Sequence, residues 1–233
     1  MVIFILMAIR HVKNKIRLVE KEHAYIVSGS SPIVGFTKDS VCGKPGAGTR
    51  MALAFLGRRF DVAYMEQVHG SKVMAVKRPG RYRCDGIVTD KKGIALVVKT
   101  ADCMPIILYN NRSGAIAAVH MGWRSARDGI LENLPFADLS DFVAVAGVGM
   151  RKCCYRVGSE FAGYERVAQH LARRSECYYF DPVGFILETL TAKGLKAENF
   201  IDTDICTQCS GYDIFSYRKT KTEDRTLTFV LRY

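Results

Sequence analysis

Three short stretches carry side chains that could do chemistry together. They are Gln67-Val68-His69-Gly70, Thr100-Ala101-Asp102-Cys103-Met104-Pro105 and Val119-His120-Met121-Gly122-Trp123-Arg124-Ser125. In each, an apolar strand-like run ends at a histidine or cysteine beside glycine or proline. Strand ends are where sites assemble in α/β sheets, because the backbone there is rigid while side chains enter a crevice. One thiol and two imidazoles form a three-ligand zinc set, which leaves the fourth position for water or substrate. Asp102, beside Cys103, is placed to orient an imidazole or move a proton. Arg124 follows the third stretch at a helix start and could hold an anion. The same residues also read as a Cys-His hydrolase, with Cys103 as nucleophile and His69 or His120 as base. The bland alternative is a turn histidine and a buried, inert cysteine. No compact signature such as His-Glu-x-x-His decides among them.

Other candidates are weaker. The loop Gly43-Lys44-Pro45-Gly46-Ala47-Gly48 lacks the terminal Gly-Lys-Ser/Thr of a phosphate-binding loop and follows no clean apolar strand. Cys206-x-x-Cys209 could be half a zinc ribbon or a redox pair. No second pair stands nearby in suitable spacing, and the adjacent Cys153 and Cys154 do not easily reach one metal together. The chain has 8 cysteines in no dense framework, which points to thiols in a reducing, cytoplasmic setting. Its net charge of +11 invites a nucleic-acid reading. The basic residues are dispersed, however, and no nucleic-acid motif accompanies them, so a field attracting small anions fits at least as well. The apolar run Met1–Ile9 is too short for a membrane span, and the charge follows it rather than preceding it as in a secretory signal. It reads as a buried first strand.

The elements that must position these residues are mostly strands. Runs at 24–27, 33–36, 63–67, 72–77, 86–89, 94–99, 106–109, 115–119, 142–147 and 226–231 read as strands. Those at 63–67 and 72–77 flank His69-Gly70; 86–89 pairs with 94–99, and 106–109 with 115–119. Several are apolar almost throughout, as strands covered on both faces are. Helices are expected at 49–56, 125–134, 159–174 and 183–193. No internal repeat, low-complexity tract or linker divides residues 1–233. The expectation is a single α/β (α+β) domain with a mixed central β-sheet covered by helices.

The motifs named above, with Cys84-Asp85-Gly86-Ile87-Val88-Thr89-Asp90, Gly147-Val148-Gly149, Cys153-Cys154-Tyr155-Arg156-Val157-Gly158, Cys206-Thr207 and Phe215-Ser216-Tyr217-Arg218, resemble the YfiH family. This family is also called the laccase-domain or polyphenol-oxidase-like family. The resemblance runs in order from about residue 60 to the C-terminus. It implies a YfiH-like fold over 1–233 and a metal site of His69, Cys103 and His120 holding zinc, with copper as the other metal associated with the family. It also implies a cytoplasmic monomer or homodimer acting on purine nucleosides and phosphate by phosphorolysis, with adenosine deamination and methylthioadenosine phosphorolysis alongside. A multicopper oxidase would need many more histidines than the 5 present. On this reading Arg50, Gln67, Arg124 and Arg218 hold substrate or phosphate, while Cys103 and Asp102 are catalytic. The chain departs from the family at Thr49-Arg50, Tyr155-Arg156-Val157 and Glu223-Asp224-Arg225 and in its shorter N-terminal part. The rival readings are an amide hydrolase acting on peptidoglycan-precursor peptides and a basic nucleic-acid-binding module.

Overall fold

The computed structural model describes residues 10–12, 16–20, 24–28, 32–38 and 60–232. The expected first strand at 1–9, the Gly-rich loop at 43–48, the helix at 49–56 and Arg50 lie outside them. Two large mixed sheets dominate. The first has eight strands in the order β1 (Arg10–Val12), β2 (Ile16–Glu20), β3 (Ala24–Ser28), β4 (Ile33–Thr37), β17 (Thr226–Leu231), β9 (Ile94–Thr100), β5 (Asp61–Glu66) and β7 (Gly80–Arg83). The second has six: β16 (Phe200–Asp202), β12 (Val143–Ala146), β10 (Met104–Tyr109), β11 (Ile116–Met121), β8 (Gly86–Thr89) and β6 (Val73–Ala75). A small third sheet joins β13 (Arg156–Val157), β15 (Cys177–Phe180) and β14 (Leu171–Arg174).

The second sheet is the middle layer, and its period-2 alternation shows why its strands are apolar throughout. Ile107, Tyr109, Ile116, Ala118 and Val145 pack against Val34, Phe36, Leu96, Val98 and Val230 of the first sheet. Their neighbours Ile106, Leu108, Ala117, Val119 and Ala144 face the other way, onto Ile130, Leu131, Phe185, Ile186 and Leu190. Both faces are therefore dry, and β10 and β11 are buried at every position.

The fold class stands: a sheet-rich mixture of strands with few helices. Its details correct the sequence reading in three places. The runs flanking His69 do not pair, because β5 belongs to the first sheet and β6 to the second; β8 and β9 are likewise split between sheets. Only the β10–β11 hairpin forms as expected, with Pro105 opposite His120. The helix expected at 125–134 is only α1 (Trp123–Arg127), after which the chain turns through Gly129 at φ 79°, a conformation glycine adopts without a Cβ penalty. The helix expected at 159–174 is a 3-10 turn over Ser159–Gly163, the short α2 (Glu165–Ala168), and then β14. There the hairpin with β15 outweighs helical propensity, a weak preference of under about 1 kcal/mol per residue.

The long helix forms where expected, as α3 (Pro182–Ala192). Asp181 caps it by accepting from the Gly184 N–H at 3.1 Å, and Pro182 occupies the first turn, where its missing N–H costs nothing. No helix among the described residues is long and apolar enough to cross a membrane.

Ile107 is fully buried between the sheets. Truncation to alanine is expected to cost about 2–5 kcal/mol, the range for deleting a core aliphatic side chain. Denaturant unfolding of Ile107→Ala beside the parent measures it. A change within about 0.5 kcal/mol, the usual span for surface substitutions, would contradict a packed inter-sheet core.

Candidate metal centre and adjoining cavity

The alternation of β11 carries His120 to the site. Ile116 and Ala118 face the inter-sheet core, so His120 ends the same row and is itself buried. Cys103 immediately precedes β10, whose Met104 lies opposite Met121, so the thiol comes level with Gly122. A Cβ at Gly122 would stand 3.2 Å from the Cys103 sulfur and 3.4 Å from the His69 ring. Glycine is thus what lets thiol and imidazole approach the chain here. His69 arrives from the loop after β5 with φ 61°, a costly conformation for a residue with a side chain.

That loop is held by Asp85, a residue to which the sequence reading gave no role. Its buried carboxylate accepts from the N–H groups of Val68 (3.2 Å), His69 (2.9 Å) and Gly70 (2.8 Å). The same carboxylate meets His120 Nδ1 at 2.8 Å, and the Asp85 carbonyl accepts from the His120 N–H at 2.7 Å. One anion therefore fixes the backbone of one histidine and the ring of the other. Burial opposes the charge on Asp85, yet the His120 ring and the Gly70 and His69 N–H groups hold its carboxyl below the ordinary range.

The ligand atoms of His69, Cys103 and His120 all lie within 4.8 Å of one another. The two imidazoles meet edge to face, with centroids 4.7 Å apart. His69 is exposed, Cys103 half-buried and His120 buried, so the cluster opens to solvent on one side. With Nδ1 committed to Asp85, Nε2 is the His120 nitrogen left for a ligand. Two imidazoles and a thiol, one side open, make a donor set suited to a zinc-like ion with one free position. Burial disfavours the Cys103 thiolate, but His120 and His69 outweigh it and bring the thiol down to about 6. Burial likewise opposes charge on His120, and Asp85 and Cys103 raise it to about 9.

The remaining expected site residues have other partners. Asp102, at φ 96°, does not orient an imidazole; Asp85 does that instead. The Asp102 Oδ1 accepts from the Thr207 hydroxyl and the Ser216 hydroxyl, each at 2.7 Å, and its Oδ2 accepts from the Arg218 N–H at 2.7 Å. It straps two late segments to the chain beside Cys103. Gln67 spans to β9, donating to the Lys99 carbonyl at 2.7 Å and accepting from the Lys99 N–H at 2.9 Å. Its amide replaces a strand bond rather than facing a ligand. The Arg124 guanidinium lies over the Trp123 ring at 4.8 Å. Asp128, one turn on, pairs with Arg127.

Arg218 does reach a cavity. Trp123, Arg156, Val157, Gly158, Glu160, Phe161 and Arg218 line a space of about 450 Å³. It starts one residue beyond Gly122, and the strap from Asp102 fixes its Arg218 side. Arg218 also donates to the Arg156 carbonyl at 2.8 Å and lies over the Tyr155 ring at 5.3 Å. Arg156, noted in the sequence only as a departure from the family pattern, is the second arginine of that lining.

Two outcomes are expected. Asp85→Asn keeps the size of the side chain but loses an acceptor that serves both histidines; metal affinity should fall about 10–100-fold, as for other orienting carboxylates, measured by competition with a chromophoric chelator. After chelator treatment, Cys103 should react with iodoacetamide at a rate that is already high above pH of about 6 and drops below it. The sign follows from a depressed acid: the thiolate persists above the folded-state value and is lost on protonation below it. A rate still climbing toward pH 9, the ordinary thiol value, would contradict the pairing with the histidines.

The chain resembles known proteins over most of its length. Residues 48–232 match the family model described as multi-copper polyphenol oxidoreductase laccase. A purine nucleoside phosphorylase of Aquifex aeolicus is 36% identical over 151 residues, covering 63% of this chain and 70% of its own. Purine nucleoside phosphorylase CA_C1699 of Clostridium acetobutylicum is 31% identical over 185 residues, covering 74% of this chain and 77% of its own. The crystal structure of the hypothetical protein YfiH of Bacillus licheniformis superimposes with a TM-score of 0.79 at 18% identity, over 94% of this chain and 100% of that one, and so shares the fold. With the laccase model spanning most of its length and the YfiH motifs in order along it, the chain belongs to the multi-copper polyphenol oxidoreductase laccase family, the YfiH family.

Proposed function

We propose that the protein is a metal-dependent purine nucleoside phosphorylase acting in the cytoplasm, with zinc held by His69, Cys103 and His120. The observation that carries this reading is the cluster of two histidines and a cysteine, open on its His69 side and adjoining a cavity lined by two arginines. The names of the relatives support the substrate class. The ion, when bound, supplies Lewis-acid polarisation of a substrate oxygen.

The chain's own residues supply the rest. Asp85 keeps His120 in one tautomer and fixes the His69 loop. Arg218 and Arg156 bind phosphate, for which planar guanidinium groups are suited. Trp123 and Phe161 give the cavity an apolar wall for the purine. A phosphate oxygen forms the bond to C1′ of the ribose as the bond from C1′ to the base nitrogen breaks. The base leaves with that electron pair and takes up a proton, giving free base and ribose 1-phosphate. Asp102 acts by positioning Arg218 and the Cys103 segment. Adenosine deamination and methylthioadenosine phosphorolysis are proposed as further reactions of the same site.

A second reading has an observation of its own. Cys103, His120 and Asp85 form a thiol–imidazole–carboxylate relay, the arrangement of a cysteine hydrolase. Chelation separates the two: it should abolish phosphorolysis and spare an amide hydrolase.

Arg218→Ala is expected to lower phosphate-dependent cleavage of inosine about 10–100-fold, equivalent to the roughly 1.5–3 kcal/mol of a hydrogen bond to a charged group. Release of hypoxanthine and ribose 1-phosphate would be followed with phosphate varied. Parent enzyme that holds its metal yet releases no base from inosine or adenosine in phosphate would overturn the assignment.

A further inference from the structure

A second group of ligands stands apart from the histidine site. Cys153 and Cys154 lie in a tight turn closed by the N–H groups of Cys154 and Tyr155, both donating to the Arg151 carbonyl (2.9 and 2.8 Å). Cys206 and Cys209 lie in another turn, closed by the Ser210 N–H donating to the Cys206 carbonyl at 3.1 Å. A parallel bridge between Gly149 and Cys206 lays the turns side by side. The buried Arg151 reinforces it, reaching the carbonyls of Gly147 (2.8 Å) and Ile205 (3.3 Å) and the carboxylate of Asp202 (2.6 Å). All four sulfur atoms come within 4.8 Å of one another.

The spacing suits a shared ion. Four thiolates about 2.3 Å from a tetrahedral centre stand roughly 3.8 Å apart along each edge. The Cys153 and Cys209 sulfurs are 3.6 Å apart, whereas a disulfide needs about 2.05 Å. Adjacent cysteines on a strand would point to opposite faces. In the turn over 152–154 they converge.

We propose that Cys153, Cys154, Cys206 and Cys209 form a closed tetrathiolate site for zinc, structural in role and separate from the histidine site. Thiolates fill all four positions, so no place remains for substrate. The ion ties the 150–155 turn to the 206–210 turn. The first leads through Tyr155 to Arg156 at the cavity, and the second carries Thr207, which donates to Asp102. Binding zinc would thus clamp the cavity wall to the segment beside Cys103, with loss of the thiol protons to solvent.

The test uses the full chain purified without oxygen, with zinc measured by elemental analysis and the ligand set read after cobalt substitution. His69→Ala/His120→Ala should keep one zinc per chain and show the intense sulfur-to-cobalt charge-transfer bands of four thiolates. Cys153→Ser/Cys209→Ser changes two exposed positions, so the fold should survive; it should lose that zinc, keep the metal of the histidine site and melt at a lower temperature. Equal zinc content in the parent and the serine variant, or a disulfide among the four in the anaerobic protein, would overturn the proposal. A parent without phosphorylase activity that still holds the tetrathiolate zinc would count against the proposed function alone.

Discussion

The Asp85 carboxylate is the interaction on which the cluster of His69, Cys103 and His120 depends. It is fully buried, and an unpaired charge at such a place would cost several kcal/mol. Here three successive backbone N–H groups and an imidazole surround it. That satisfaction fixes two things together: the left-handed turn that presents His69 and the ring orientation of His120. The histidines come from strands of different sheets, and one anion sets their distance.

The two-sheet architecture explains why the site can be both rigid and open. β10 and β11 form the dry middle layer, so Cys103 and His120 emerge from strands with no freedom to shift register. His69 comes from a loop that bridges the sheets, at the edge where solvent enters. The layers do not make the cavity by themselves. Its far wall comes from the small third sheet and the C-terminal segments, drawn in by Asp102 through Thr207, Ser216 and the Arg218 N–H. The turn that carries Cys153 and Cys154 runs on to Arg156 in that wall, so the four-cysteine cluster and the cavity are joined through the chain itself.

The two acidic residues illustrate how burial divides labour between similar groups. Asp85 and Asp102 both sit beside a cysteine and both are buried. One meets donors from the segments that carry His69 and His120; the other meets hydroxyls and an amide from the late segments of the chain. Neither has a free face for substrate, so each acts by position, through the groups it holds.

Much of the strand content was legible in the amino-acid order, because strands covered on both faces leave long apolar runs such as 104–109 and 116–121. The residues His69, Cys103 and His120, which the structure brings together, were also legible, each set near a glycine or proline at the end of an apolar run. Family resemblance then selected them together. What sequence could not decide was pairing between distant segments. Whether β5 joins β6 or β9 depends on non-local burial, and so does the conversion of 171–174 from expected helix to strand. Asp85 stood in a recognised motif, yet its task needed His120 and the loop at 68–70 brought around it. Gln67 looked like a substrate contact until Lys99 lay across from it. Cys153-Cys154 and Cys206-Cys209 looked unrelated because 52 positions (206 minus 154) separate them, and it takes the Gly149–Cys206 bridge and Arg151 to bring their sulfurs together. Local order specifies which atoms a chain can offer; the packing of remote strands decides which of them meet.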